Sequence, residues 1–279
     1  MFETIVIGFD ASSQAHDALV LGAALAGPET EIVVSCVHPP EAPGAEGLAA
    51  QAEERLRAAR DRLGERPHTR FQTRGAHSAG AGLHDEVHRY DADLLVVGSS
   101  HRGAIGRVIP GSVTRQVLHD SPCAVAVASA GLREHPPALA RIGVAFNDQP
   151  ESAVALDAAT AIARENDATL TLVTVIDFSA VVDGWSSAWV YPELRDDMRQ
   201  AAERGGRAAI EGLEGVEAHL DVIDGNTVQE LVLASSELDL LVMGSRGYGP
   251  IRRALVGTVS GRVAEAAACP VLITPRGAG

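Results

Sequence analysis

One stretch of this chain occurs twice. DLLVVGSSHRGAIGRVIPGSV from Asp93 is matched by DLLVMGSRGYGPIRRALVGTV from Asp239. Gly98 pairs with Gly244, Gly111 with Gly257, Ser112 with Thr258 and Cys123 with Cys269, all at one offset. A repeat of this length requires two copies of one structural unit, so the rest of the chain must divide around it. The second copy opens with the apolar run Leu240-Leu241-Val242-Met243, which reads as a strand buried on both faces of a parallel sheet. The run ends at Gly244, a loop follows with Arg246, Gly247 and Gly249, and Gly257-Thr258 leads into Val259, Val263 and Ala267 at helical spacing. A strand therefore delivers a small-residue loop to a helix, with Thr258 placed as its N-cap.

Such a loop suits an anion. Glycines allow backbone N–H groups to approach a ligand closely, and the first helical turn presents unpaired donors with partial positive charge. Arg246, Arg252 and Arg253 add cationic side chains beside it. Every one of the 23 cationic Lys/Arg residues is an arginine, and the absence of lysine excludes a Walker-type phosphate loop. A net charge of −14 argues against a nucleic-acid or anionic-membrane surface. Cys36, Cys123 and Cys269 are too few and too scattered for a disulfide scaffold or a zinc cluster, and are expected to be small buried hydrophobes. The longest apolar stretch, Ala18 to Gly27, is too short to span a bilayer, and no signal-type leader is evident. A cytoplasmic protein is expected.

In chain order, Thr4 to Asp10, Glu31 to Val37, Thr69 to Thr73, Leu94 to Val97 and Ala124 to Ala128 read as strands. Between them lie a helix capped by Ser12 or Ser13, a largely solvated helix over 44–63, and helices over 82–89 and 112–119. The order recurs with strands at 142–146, 169–175, 218–222, 240–243 and 271–274, and helices around 153–163, 198–213 and 228–233. The fold class is α/β: two doubly wound five-stranded parallel-sheet domains in tandem, over 1–131 and 140–279, with a proline-containing linker over 132–139. Ligands of such sheets sit beyond the carboxyl ends of the strands, where the chain order reverses.

The spacing Gly244-x2-Gly247-x9-Gly257-Thr258 resembles the G-2x-G-9x-G(S/T) nucleotide loop of the universal stress protein family, ATP-binding branch. The resemblance covers essentially the whole chain as a tandem of two such domains. It implies an adenine-nucleotide site in one or both copies, with ATP as ligand and Mg²⁺ accompanying a triphosphate. In the first copy it implicates Asp10, Val37, Gly98, Ser100, His101, Gly111, Ser112 and Val113. In the second it implicates Asn147, Val175, Met243, Gly244, Arg246, Gly247, Gly257, Thr258 and Val259. Asp10 or Asn147 would bond the adenosine end, and Val37 or Val175 would wall the adenine. Gly98 and Gly244 would let the backbone meet sugar and phosphates, with Ser112 and Thr258 at the phosphate oxygens.

The copies depart from that pattern differently. The first carries His101 in place of the second glycine, where an imidazole either blocks or contacts the phosphates, with Gly103 and Gly106 restoring backbone freedom. The second keeps every loop glycine but exchanges the aspartate for Asn147, a neutral and weaker acceptor. The intact loop favours the second copy. The resemblance also implies that the last strands, 124–128 and 271–274, pair the copies about a pseudo-twofold axis, and leaves a further homodimer open. His84 and His88, four apart beside Asp85 and Glu86, read as a solvated helix face rather than a metal site. Trp185, Trp189 and Tyr191 read as a packing segment, with a flap over the nucleotide as the alternative. No nucleophilic triad stands out. Two rival readings remain: a stress module that only dimerises or binds a partner, and a slow ATPase of the same fold.

Overall fold

The computed structural model describes residues 2–40, 47–99, 112–178, 192–245 and 258–275. The first copy runs β1 (Thr4–Gly8), α1 (Ser13–Leu25), β2 (Glu31–His38), α2 (Leu48–Leu63), β3 (Thr69–Gly75), α3 (Ala79–Tyr90), β4 (Leu94–Gly98), α4 (Ser112–Asp120) and β5 (Ala124–Ala128). The second repeats it as β6 (Arg141–Ala145), α5 (Pro150–Glu165), β7 (Thr169–Ile176), α6 (Pro192–Glu211), β8 (Ala218–Asp224), α7 (Thr227–Ala234), β9 (Leu240–Gly244), α8 (Thr258–Ala266) and β10 (Val271–Thr274).

The ten strands form one sheet in the order β3-β2-β1-β4-β5-β10-β9-β6-β7-β8. Within each copy all pairings are parallel. The copies join through an antiparallel β5–β10 pair, with Leu272 opposite Ala126. The last strands thus meet as the resemblance implies, about a pseudo-twofold axis through the middle of the sheet. Chain order reverses between β1 and β4, and again between β6 and β9, which locates a crevice at each point.

Strand side chains alternate between two cores. Ile5, Ile7, Leu94, Val96 and Ala126 face a core that takes in Leu19 and Leu25 of α1, Leu56 of α2 and Ala155 and Ala159 of α5. Val6, Leu95, Val97 and Val125 face the other, with Leu83 and Val87 of α3, Val117 of α4, Leu231 of α7 and Val263 of α8. Both faces are covered, which is why the strands read as continuous apolar runs. The repeated aspartate that precedes β4 and β9 has a structural role: Asp93 accepts from Glu3 and Thr4 N–H at 2.8 and 3.1 Å, and Asp239 from Ala140 and Arg141 N–H at 2.9 and 3.0 Å. Each fixes the start of β1 or β6 against its neighbour.

Several boundaries differ from the sequence reading. α2 begins at Leu48 rather than Gly44, because Gly47 adopts φ 91° and is not helical. α5 begins at Pro150, several residues before Ala153, since proline is tolerated in the first turn, where an N–H has no partner to lose. α6 likewise starts with Pro192. Nor is α3 a solvated face around Glu86: that carboxylate is fully buried, paired with Arg74 of β3, while His88 is exposed.

The linker is docked rather than loose. Asp17 of α1, fully buried, accepts from Gly131 N–H at 3.1 Å, from Arg133 N–H at 2.7 Å and from the Arg133 guanidinium at 3.2 Å. Leu132 and Leu139 are buried on either side of it. The three cysteines are free and buried. Burial pushes the Cys123 thiol up to about 11 and that of Cys269 up to about 12, so both stay protonated and unreactive at neutral pH.

Candidate functional site

A cavity opens at each crevice. The first, of 290 Å³, lies over the ends of β1, β2 and β4, and Asp10, Val37, Gly98 and Val113 are among its walls. The second, of 670 Å³, lies over β6, β7 and β9, and Asn147, Val175, Met243, Gly244 and Val259 are among its walls. The structure therefore gathers nine of the sequence-predicted residues at two equivalent places. Ser112 and Thr258 open α4 and α8, so the helix that Thr258 was expected to cap starts at that residue itself. Ser100, His101, Gly111, Arg246, Gly247 and Gly257 lie outside the described residues, as do Gly103, Gly106, Gly249, Arg252, Arg253 and the Trp185–Trp189–Tyr191 cluster.

The turn from first strand to first helix carries a left-handed residue at the same place in both copies, with different capping. Asp10 Oδ1 accepts from Ser12 N–H at 2.9 Å, and Ser12 Oγ accepts from Ala15 N–H at 3.1 Å, which caps α1. Between them Ala11 is forced to φ 65°. In the second copy Asp148 takes φ 53°, and Ser152 Oγ accepts from Gln149 N–H at 3.1 Å. Left-handed non-glycine residues cost about 1–3 kcal/mol and persist where the surroundings impose them. Here the strained turn carries Asp10 or Asn147, both exposed, at the cavity rim.

Gly98 and Gly244 have a packing role that the sequence did not reveal. A Cβ on Gly98 would sit 2.4 Å from the carbonyl oxygen of Gln14 in α1, and one on Gly244 would sit 2.2 Å from that of Glu151 in α5. Both glycines are needed to bring the first helical turn onto the strand end, whatever the cavity holds. The residue after each was also missed. Ser99 and Ser245 are buried, with hydroxyls that make no hydrogen bond among the described residues, and Ser99 lines the first cavity. The signal was the Gly-Ser pair present in both copies. Thr114, also unforeseen, donates to the Gly98 carbonyl at 2.8 Å and so ties α4 to the loop entrance.

The electrostatics of the two cavities differ. Among the described residues, Asp148, Glu151 and Asp177 line the second cavity and no cationic side chain does. Asp177 Oδ2 accepts from Thr227 N–H at 3.0 Å and from Thr227 Oγ1 at 3.3 Å, while Asn226 Oδ1 caps α7 by accepting from Gln229 N–H at 3.3 Å. In the first cavity the only charged wall among the described residues is Asp10. Phe9, another wall, stacks edge-on against His16 at 5.1 Å. Burial, then the guanidiniums of Arg62 and Arg133, lower the His16 pKa, which favours the neutral imidazole. No group of three or more His, Cys, Asp or Glu side chains suited to a metal ion occurs among the described residues.

Two doubly wound halves, each with a cavity at its point of strand reversal, define a tandem α/β protein with paired cavities. The family model described as the universal stress protein family matches residues 1–129 and again 139–275, and the chain belongs to that family. Universal stress protein Rv2319c of Mycobacterium tuberculosis is 25% identical over 243 residues, spanning 81% of this chain and 79% of the relative. Universal stress protein YxiE of Bacillus subtilis is 31% identical over 140 residues, 47% of this chain and 95% of YxiE. Among solved structures, a universal stress protein from Archaeoglobus fulgidus superposes with a TM-score of 0.69 at 18% identity, covering 99% of both chains. A putative universal stress protein from Pseudomonas aeruginosa does so with a TM-score of 0.67 at 14% identity, covering 98% of this chain and 93% of that one. These superpositions establish the tandem fold.

Proposed function

We propose that this chain is a nucleotide-dependent stress regulator that binds an adenine nucleotide, ATP in the first instance, in the second copy and more weakly in the first. The observation that carries the reading is the convergence of Asn147, Val175, Gly244 and Val259 on one 670 Å³ cavity, in a copy whose glycine spacing from Gly244 to Gly257 in sequence matches an ATP-binding pattern. That volume lies within the roughly 300–1,000 Å³ of small-molecule sites, whereas the first cavity, at 290 Å³, falls at its lower edge. Val175 and Met243 offer an apolar wall for a purine, and Asn147 an amide for the sugar or base. The α8 N-terminus opens at Thr258, where phosphate oxygens are favoured.

The described walls carry acids and no cations, so a triphosphate needs the arginines of the 246–257 segment, a divalent cation, or both. Mg²⁺ bound to the phosphates would offset Asp148 and Glu151 without a dedicated protein cage, which is how that ion is commonly held. We keep the domain boundaries at 1–131 and 140–279, and place the protein in the cytoplasm, where three unpaired buried thiols fit a reducing compartment. A homodimer of the tandem is part of the same reading.

The test is to purify the protein without added nucleotide, denature it and identify what is released by mass spectrometry. Adenine nucleotide released from the wild type but not from Gly257→Phe supports the reading. Its absence from both, with no affinity for added ATP, returns the chain to the partner-binding alternative. Steady turnover in excess ATP is required for the ATPase alternative.

A further inference from the structure

The two copies keep an acid at different places on the same turn. Gln14 and Glu151 are equivalent, because their carbonyl oxygens pack against Gly98 and Gly244 in the same way. Three residues before them stand Ala11 and Asp148, both left-handed, at φ 65° and 53°. One residue earlier stand Asp10 and Asn147. Asp-Ala in the first copy is thus Asn-Asp in the second, with the carboxylate kept but moved on by one residue. Asp10 lines the first cavity and Ala11 does not, whereas Asn147 and Asp148 both line the second.

Asp148 has no part in holding the turn. In the first copy Asp10 Oδ1 accepts from Ser12 N–H at 2.9 Å, so one carboxylate oxygen serves the backbone. In the second copy Ser152 Oγ takes that role, accepting from Asn147 N–H at 3.4 Å and from Gln149 N–H at 3.1 Å. The Asp148 carboxylate makes no hydrogen bond or ion pair among the described residues, while Asp177, another acid on the wall, is committed to Thr227. Nor does the left-handed backbone demand an aspartate, since alanine fills the same position in the first copy. The carboxylate lies across the rim against α6, where a Cβ on Gly205 would be 3.2 Å from Asp148 Oδ2. Gly205 continues, at helical spacing, the stripe of Met198, Ala201 and Ala202 that walls the cavity. An acid that its own fold does not use, set at this mouth, is available to a ligand.

We propose that Asp148 is the specificity-determining carboxylate of the second cavity and accepts a hydrogen bond from the nucleoside part of the nucleotide. The inference rests on the adenine-nucleotide reading, in which Val175 of β7 walls the base and the α8 N-terminus takes the phosphates. The turn that carries Asp148 follows β6, which lies between β9 and β7 in the sheet. Its reach toward α6, which packs on β7 and β8, carries the carboxylate to the β7 side, where the nucleoside belongs. A nucleoside offers two kinds of donor there, the ribose hydroxyls and the exocyclic amine. An ionised carboxylate accepts from either more strongly than the neutral Asn147 amide does. The same charge repels phosphate, so it also sets the ligand's direction, nucleoside toward α6 and phosphates toward α8. The first copy, with Ala11 at this position, lacks the contact.

The test is calorimetric titration of the full chain with ATP and Mg²⁺, wild type against Asp148→Ala. Alanine is accommodated at the equivalent position of the first copy, so the variant is expected to fold, which its urea unfolding curve checks. The expected result is about tenfold weaker binding at the tighter site, from the loss of one charge-assisted hydrogen bond. Repulsion alone predicts the opposite, a gain in affinity when an anion is removed. Asp157→Ala, which removes an exposed acid of α5 outside the cavity, should bind as the wild type does. The donor is identified with 2′-deoxy-ATP, 3′-deoxy-ATP and purine riboside triphosphate, which lack a ribose hydroxyl or the amine. The analogue without the donor should bind the wild type about tenfold more weakly than ATP, and Asp148→Ala as well as ATP does. Unchanged or tighter ATP binding by Asp148→Ala, or a variant that discriminates among the analogues as the wild type does, overturns the proposal and leaves the nucleotide reading standing. If ATP does not bind the wild type, the nucleotide reading itself has failed, and this inference with it.

Discussion

Replacing Gly244 by alanine separates the fold's demand on that residue from any ligand's. The added Cβ would lie 2.2 Å from the Glu151 carbonyl oxygen and 2.6 Å from its carbonyl carbon, both backbone atoms in the first turn of α5. Relief requires α5 to withdraw by roughly 1 Å from a close-packed sheet, and overpacking of this kind costs about 1–3 kcal/mol or more. Alanine returns only about 0.4–1 kcal/mol by restricting the unfolded chain. The net expectation is a loss of about 2 kcal/mol, present without nucleotide, with a similar loss for Gly98→Ala, whose Cβ would meet the Gln14 carbonyl oxygen at 2.4 Å. Gly212→Ala is the control, because its Cβ meets nothing nearer than 3.5 Å. Urea unfolding of nucleotide-free protein, with the slope checked for change, reads the difference directly. If Gly244→Ala is as stable as wild type and loses only nucleotide affinity, the packing argument is wrong and the glycine serves the ligand alone.

Asp17→Ala removes a buried carboxylate and orphans the N–H groups of Gly131 and Arg133. With the guanidinium about a third exposed and able to rehydrate, the expected loss is about 3 kcal/mol by thermal or urea unfolding, and a loss under about 1 kcal/mol would show that the linker is not held there. Ala11→Gly relieves a residue at φ 65° and should leave stability unchanged or raise it by up to about 1 kcal/mol. The raised thiols of Cys123 and Cys269 favour the protonated form in the folded state. Their contribution is complete below the unfolded value of 9.0 and is lost as pH rises through about 11 to 12. Stability should therefore decline from about pH 9 upward, and the native protein at pH 8 should resist thiol reagents until it is unfolded.

The strands and the twofold repeat were legible, because a doubly covered parallel sheet writes its strands as apolar runs and a repeat writes its equivalences as a constant offset; the pairing of the last strands came from the family resemblance alone. Helix starts were less so. Gly47 and Pro150 act through backbone geometry, one ending helical φ and the other tolerated only in the first turn, and an apolar stripe does not register either effect. The buried ions were invisible. Asp17 and Glu86 look like surface residues of their helices until the linker and β3 bring Arg133 and Arg74 to them. The candidate site was half legible. Asp10, Asn147, Val37 and Val175 stand at strand ends that a doubly wound topology turns into crevices. The asymmetry of the two cavities depends instead on tertiary placement: Met198, Ala201 and Ala202 of α6 reach the wall of the second, whereas no residue of α2 reaches that of the first.

The most direct test of the central claim is calorimetric titration of the purified, nucleotide-free chain with ATP and Mg²⁺, run in parallel on Gly257→Phe. The account expects saturable binding by at least one site per chain, lost in the variant while the variant's unfolding curve is unchanged. No binding heat with the wild type, or equal binding by both proteins, would contradict it.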